Sequence, residues 1–156
     1  MIQSMTDRLL RWALTAGHLA LRADWFVRRP RTHGAHALAL TPDREVILVK
    51  LRYASGWRLP GGGRDAAEPA EEAVLRELRE EIGMTAHGKV TLAIELDETA
   101  DFKRDLASLL VVEDVEYVPH RFSWEIERVI EAPLDSLPSD LSPRARRWIA
   151  AIEDKL

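Results

Sequence analysis

Apolar residues recur along this chain at two different spacings, and the change of spacing divides it into elements. Leu9, Trp12, Ala13, Ala16, Leu19, Ala20 and Ala23 repeat at helical intervals, which predicts an amphipathic helical extension over residues 1–30. Arg8, Arg11, His18 and Arg22 fall on its other side. A basic amphipathic helix can lie on a membrane or on a partner. Packing the apolar side on the domain, or on the second subunit of a homodimer, is the commoner use and the one expected here. Arg28-Arg29-Pro30-Arg31 reads as a linker into a domain over residues 31–156. There the spacing tightens, predicting strands near His33 to Leu40, Glu45 to Leu51, Lys89 to Leu96, Leu106 to Val112 and Ser123 to Ile130. Thr41-Pro42-Asp43-Arg44 is a turn joining the first two. Helical spacing returns from Pro69 to Ile82 and from Pro143 to Asp154, with Ser142 a suitable cap for the latter. Leu96 to Arg104 reads as a polar loop. Strands interleaved with helices make an α/β class.

Composition narrows the picture only a little. A chain of 156 residues, 46% of them hydrophobic, can bury one sizeable core. A net charge of −4 argues against binding a nucleic-acid polymer, though not against a nucleotide held through metal. With no cysteine there is no disulfide and no thiol nucleophile, which suits a reducing cytoplasm. No apolar run reaches membrane-spanning length, and Arg11 and His18 interrupt the first apolar stretch, which argues against a cleaved signal peptide.

The helix from Pro69 to Ile82 carries the chemistry. Glu77, Glu80 and Glu81 fall within about 100° of one another, a spacing at which like charges weaken an isolated helix. A hard cation such as Mg²⁺ or Mn²⁺ would turn that liability into a site. Val74, Leu75, Leu78 and Ile82 form the adjoining core face, while Glu72, Arg76 and Arg79 point away. Gly61, Gly62 and Gly63 precede the helix and let backbone come close to a ligand. Gly83 suits a left-handed helix stop, and Pro69 the first helical position with Glu68 before it. A plain solvated acidic face accounts for Glu71 and Glu72 but less well for the glycines, Arg76 and the three acids together.

The spacing of Gly62, Glu68, Arg76, Glu77, Leu78, Glu80, Glu81, Gly83 and Met84 resembles a complete Nudix box. The match covers 23 residues, from Gly62 to Met84. Trp57-Arg58-Leu59-Pro60-Gly61-Gly62 resembles the strand and turn that enter such a box. Glu125 to Pro138 resembles a later family segment, although Glu131 stands where an aromatic is often found. The resemblance implies a Nudix-type α/β/α sandwich with a mixed β-sheet. It further implies metal-dependent hydrolysis of a nucleoside diphosphate linked to another moiety, with water attacking phosphorus. On that reading Glu80 and Glu81 are metal ligands, and Glu77 is a third ligand or the general base. The backbone carbonyl of Gly61 and the side chain of Glu125 complete the shell, and Arg76 orients the carboxylates.

Substrate choice is less legible. Arg52, Tyr53 and Trp57 precede the glycines, and Phe102 and Lys103 lie in the polar stretch; each is a candidate contact with the nucleotide derivative. Core packing for Trp57, surface packing for Tyr53 and a solvated strand end for Arg52 are equally good readings. His33, His36, His87 and His120 lack ligand spacing and read as surface or packing residues. A non-catalytic Nudix-fold module that senses a nucleotide or binds a partner is the alternative, and intact acids at Glu77, Glu80 and Glu81 weigh against it. A calcium-binding structural domain fits poorly, because calcium loops alternate their ligands along a turn.

Overall fold

The computed structural model describes residues 2–28, 31–100, 103–121 and 123–154, without the side chains of residues 2–7, 25, 27, 28, 100 and 103. The elements run α1 (Ile2–Arg28), β1 (Arg31–Ala39), β2 (Val46–Leu51), β3 (Trp57–Arg58), β4 (Gly61–Arg64), α2 (Ala70–Ile82), β5 (Met84–Ala86), β6 (Val90–Ala100), β7 (Lys103–Val112), β8 (Glu116–Tyr117), β9 (Ile126–Ala132), a 3-10 turn (Leu134–Ser136) and α3 (Pro143–Glu153). One sheet has the order β4-β1-β7-β6, with β1 parallel to β7 and antiparallel to β4. A second, antiparallel sheet has the order β3-β2-β9, and β5 pairs with β8.

Alternation along the central strands explains the layering. Ala35, Ala37, Ala39, Ile47 and Val49 point to one side, where Val74, Leu78 and Ile82 of α2 meet them. Leu38, Leu40, Val46 and Leu48 point to the other, against Trp148, Ile149 and Ile152 of α3. Two apolar clusters therefore form where composition suggested one. A sheet covered by helices on both faces needs apolar residues on both sides of its strands. The result is an α/β/α sandwich with a mixed sheet.

Helix ends follow local chemistry. Gly83 closes α2 in the left-handed conformation (φ 74°, ψ 39°), its N–H donating to the Arg79 carbonyl at 3.2 Å. Pro69 occupies the cap position and Ala70 opens the helix, one residue later than expected. The Ser142 hydroxyl accepts from the Ala145 N–H at 3.2 Å, with Pro143 as the first helical residue.

Two expectations are corrected. The stretch Leu96 to Arg104 is no polar loop over its described length: β6 runs to Ala100 and β7 begins at Lys103. Its charges pair across the hairpin instead, Arg104 reaching Asp97 at 2.6 Å. The second correction concerns only packing of α1 on its own domain: the side turned to the domain is not the apolar side named from the spacing. Leu10, Leu14, Thr15, His18 and Arg22 are half-buried, while Leu9, Trp12, Ala13, Ala16, Leu19, Ala20 and Ala23 are exposed. Arg11 pairs with Glu127 of β9 at 2.8 Å, and the His18 ring lies 5.2 Å from that of Tyr53. These two contacts lie on the same side of α1 as half-buried Leu10 and Leu14. Among the described residues no helix is long and apolar enough to cross a membrane.

Candidate active site

The glycines form a strand, which the sequence did not suggest. β4 pairs with β1 in the register His36↔Gly61, Ala35↔Gly62, Gly34↔Gly63 and His33↔Arg64. At Gly61 (φ 137°) a Cβ would lie 2.3 Å from the Ala35 carbonyl oxygen, so only glycine fits. At Gly62 a Cβ would come within 2.7 Å of the Glu77 carboxylate. Omitting that carbon is what lets α2 lay its acids against the strand.

Each acid then meets a different environment. Glu81 accepts the Gly61 N–H at 2.7 Å. Its side chain is half-buried, with the carboxyl turned in against β4. Burial pushes that carboxyl up to about 8; the Gly61 N–H opposes the rise and the charges of Glu77, Glu125 and Glu80 add to it. Glu77 is also raised, chiefly by burial, against the pull of Arg76. Glu80 is exposed. Arg76 does not point away, as its helical position suggested. It donates to Glu77 at 2.6 Å, to Glu68 at 3.2 Å and to the Gly63 carbonyl at 3.1 Å, and stands 3.6 Å from Glu80. Its hydrogen bond holds Glu68 below the usual carboxylate range, and Glu68 and Glu77 together raise Arg76 further. Arg76 thus ties the loop before α2 to the acids on it.

A cleft of about 280 Å³ opens beside Glu81. Tyr53, Arg58, Glu125, Arg144 and Trp148 share its walls with Gly61, Gly62 and Gly63. The Tyr53 hydroxyl donates to Glu125, and burial with that hydrogen bond raises its pKa. Among the sequence candidates, Tyr53 and Glu125 border this cleft, whereas Arg52 and Trp57 do not. Trp57 is buried in the α3-side core with Lys50 and Arg128 over its ring, because strand alternation sends it inward and Arg58 outward. Arg52 donates its Nε–H to the Ser123 carbonyl at 3.1 Å. Phe102 lies outside the described residues, as does the side chain of Lys103, which opens β7. A wider cleft of about 1180 Å³ lies against Arg64, Glu68 and Arg76, and the two share His36, Gly62, Gly63 and Arg144.

Arg58, His36, Arg144 and Trp148 were missed by sequence reasoning. Arg58 was findable, since a residue next to a buried strand tryptophan faces the other way. Its Nε is buried without a hydrogen-bond partner. Nothing local flagged Arg144 and Trp148, one turn apart on α3. There the Arg144 guanidinium lies 4.2 Å over the Trp148 ring and bonds Asp105 at 2.6 Å.

The donor chemistry fits a hard divalent cation: several carboxylates crowd one strand-helix junction and raise each other's proton affinity, a repulsion a cation would relieve. As placed, no three His, Cys, Asp or Glu side chains among the described residues stand close enough to hold an ion. Arg76 holds Glu77 instead.

A sandwich of this kind, with acids on a helix docked to a glycine strand, defines a class before it defines a protein. The sequence model of the NUDIX domain matches residues 30–152. The chain belongs to the NUDIX family. It is similar to the MutT NUDIX hydrolase of Burkholderia pseudomallei, with 29% identity and a TM-score of 0.66 over 78% of this chain and 97% of that one. It is 30% identical over 76 residues to an ADP-ribose pyrophosphatase of Methanocaldococcus jannaschii, covering 47% of this chain and 45% of that protein. It is 74% identical over 27 residues to an RNA pyrophosphohydrolase of Gluconacetobacter diazotrophicus, covering 17% of this chain and 16% of that protein. The chain spans less than half the length of the curated relatives it matches.

Proposed function

We propose that this chain is a pyrophosphate hydrolase that cleaves a nucleoside diphosphate linked to another moiety, with Mg²⁺ or Mn²⁺ as cofactor. The observation that carries the reading is the buried carboxyl of Glu81, held on the Gly61 N–H at the edge of a cleft that also contains Arg58. Similarity to relatives named as pyrophosphatases supports the reaction class.

Water attacks one phosphorus of the diphosphate; a new P–O bond forms, the bridging P–O bond breaks, and two phosphate-terminated products leave. Glu80 and Glu81 would hold the metal, with Glu77 as third ligand or general base and the Gly61 carbonyl and Glu125 completing the shell. When bound, the cation would neutralise diphosphate oxygens and lower the pKa of the attacking water. Arg76 keeps Glu77 oriented, Tyr53 does the same for Glu125, and Arg58 offers its guanidinium to a phosphate oxygen. Substrate is a small nucleotide derivative rather than a nucleic-acid polymer, and the net charge of −4 agrees. The absence of cysteine suits a cytoplasmic setting.

One observation favours a second reading, a binding module without turnover: the acids do not converge as placed. A phosphate-release screen over nucleotide sugars, ADP-ribose, (d)NTPs and dinucleoside polyphosphates with either metal separates the two. Turnover that stops in excess chelator and in Glu81→Gln supports the hydrolase. Binding without turnover for every substrate supports the module.

A further inference from the structure

The exposed side of α1 is more regular than an amphipathic pattern requires. Ile2, Met5, Leu9, Trp12, Ala16, Leu19, Ala23 and Phe26 follow one another at alternating steps of three and four residues. That is an unbroken a/d heptad seam over four heptads, on a helix of 27 residues about 40 Å long. Every one of these positions whose side chain is described is exposed: Leu9 66%, Trp12 72%, Leu19 57%, Phe26 55%, with Ala16 and Ala23 beside them.

We propose that α1 is a dimerisation helix, its seam pairing with the same seam of a second copy of this chain. Apolar residues at every a and d position over four successive heptads are the spacing of a two-helix contact. The flanking positions agree. Ala13 and Ala20 on one edge are small enough to let a second helix come close. Exposed Arg8 on the other edge carries an aliphatic stem that can cover a seam while its charge stays in water. Area agrees as well. At ~150–250 Å² per aromatic side chain, Trp12 and Phe26 alone present roughly 200–300 Å² per helix. Leu9, Leu19, the alanines and the Arg8 stem bring each side towards the ~800 Å² per partner of a standard interface. The Arg11–Glu127 pair and the His18–Tyr53 contact hold α1 to its own domain by the opposite side, so the seam faces outward. The partner would therefore steady a helix whose His18 touches a residue of the cleft.

Sedimentation velocity on the full chain, over a hundredfold range of concentration, tests this independently of any activity. The wild type should sediment as a dimer. The double variant Trp12→Asp/Leu19→Asp should raise the dissociation constant at least hundredfold, and Leu19→Ala alone about tenfold, with unchanged circular dichroism of the domain. Leu21→Asp is the control, since Leu21 is 52% exposed but off the seam, and it should leave the dimer intact. A wild type that is monomeric throughout overturns the proposal, as does a dimer indifferent to the double variant or equally broken by Leu21→Asp. A monomer that floats with phosphatidylserine-containing vesicles assigns the face to a lipid surface instead.

Discussion

The two long helices of this chain handle their apolar faces in opposite ways. α2 buries Ala73, Val74, Leu78 and Ile82 and so fixes its acids at the border of the core. α1 leaves Leu9, Trp12 and Leu19 open and is held to the domain by a charge pair and a ring contact. The contrast separates two uses of amphipathicity. A buried apolar face positions the residues next to it to within fractions of an ångström, because packing is dense and cavities are costly. A helix held by surface contacts is free to present its apolar face to another surface, and little of the domain's stability depends on it.

Substitutions can break or sharpen that contrast, and the largest effects belong to the α2 side. Gly61→Ala should destabilise the fold by about 3 kcal/mol or more, because the new methyl meets the Ala35 carbonyl and the backbone cannot relax at that φ. Denaturant unfolding measures it; a loss below about 1 kcal/mol would mean that the β1–β4 register yields easily.

Glu81→Gln comes next and acts in two directions. Turnover should fall at least a hundredfold, while the metal-free protein becomes more stable at high pH. Glu81 is raised from 4.5 to about 8 in the folded state, so between those values the folded protein binds more protons than the unfolded one. Stability of the metal-free wild type must then decline as pH climbs through that window, by an amount on the order of 5 kcal/mol. The Gln variant should lack this decline, since its amide oxygen can still accept the Gly61 N–H. Parallel pH–stability curves for the two proteins would show that Glu81 is not the buried acid described here.

Arg76→Ala should cost turnover more than tenfold but stability less than about 1 kcal/mol, since its side chain is 38% exposed and solvent screens its pairs. Rescue by Lys should be incomplete, because one ammonium cannot reach Glu68, Glu77 and the Gly63 carbonyl together. The smallest effect is expected on the α1 side. Arg11→Ala removes an exposed pair with Glu127 and should shift stability by no more than about 0.5 kcal/mol in thermal unfolding. If it matched the Gly61 variant, the contrast between the helices would be gone.

How far the site could be read before folding depended on how local each residue's task is. Glu77, Glu80, Glu81 and Arg76 lie within two turns, so spacing alone places them on neighbouring faces of α2, although the three carboxylates do not converge on one point. The direction of Arg76 was misread, though not its tie to the carboxylates, because a long side chain reaches back over the helix start to Glu68 and Gly63 whatever its helical angle. Tyr53 and Glu125 meet only because the first follows β2 and the second precedes β9, two strands paired antiparallel. Arg144 and Trp148 reach it from the other end of the chain, where helical periodicity announced only an amphipathic helix.

By itself the sequence determined the helices and the longer strands, the stop at Gly83, the cap at Ser142 and the place of the acids on α2, since each arises from interactions within a few residues. Tertiary structure alone decided that the glycines pair as a strand with β1, that Leu96 to Ala100 extends a hairpin, that Arg58 and Trp148 wall the cleft, and that α1 faces outward. Periodicity records that a helix has an apolar side, but which side is turned inward is settled by surfaces that distant segments supply. For α1 those surfaces include Glu127 and Tyr53, which take Arg11 and His18.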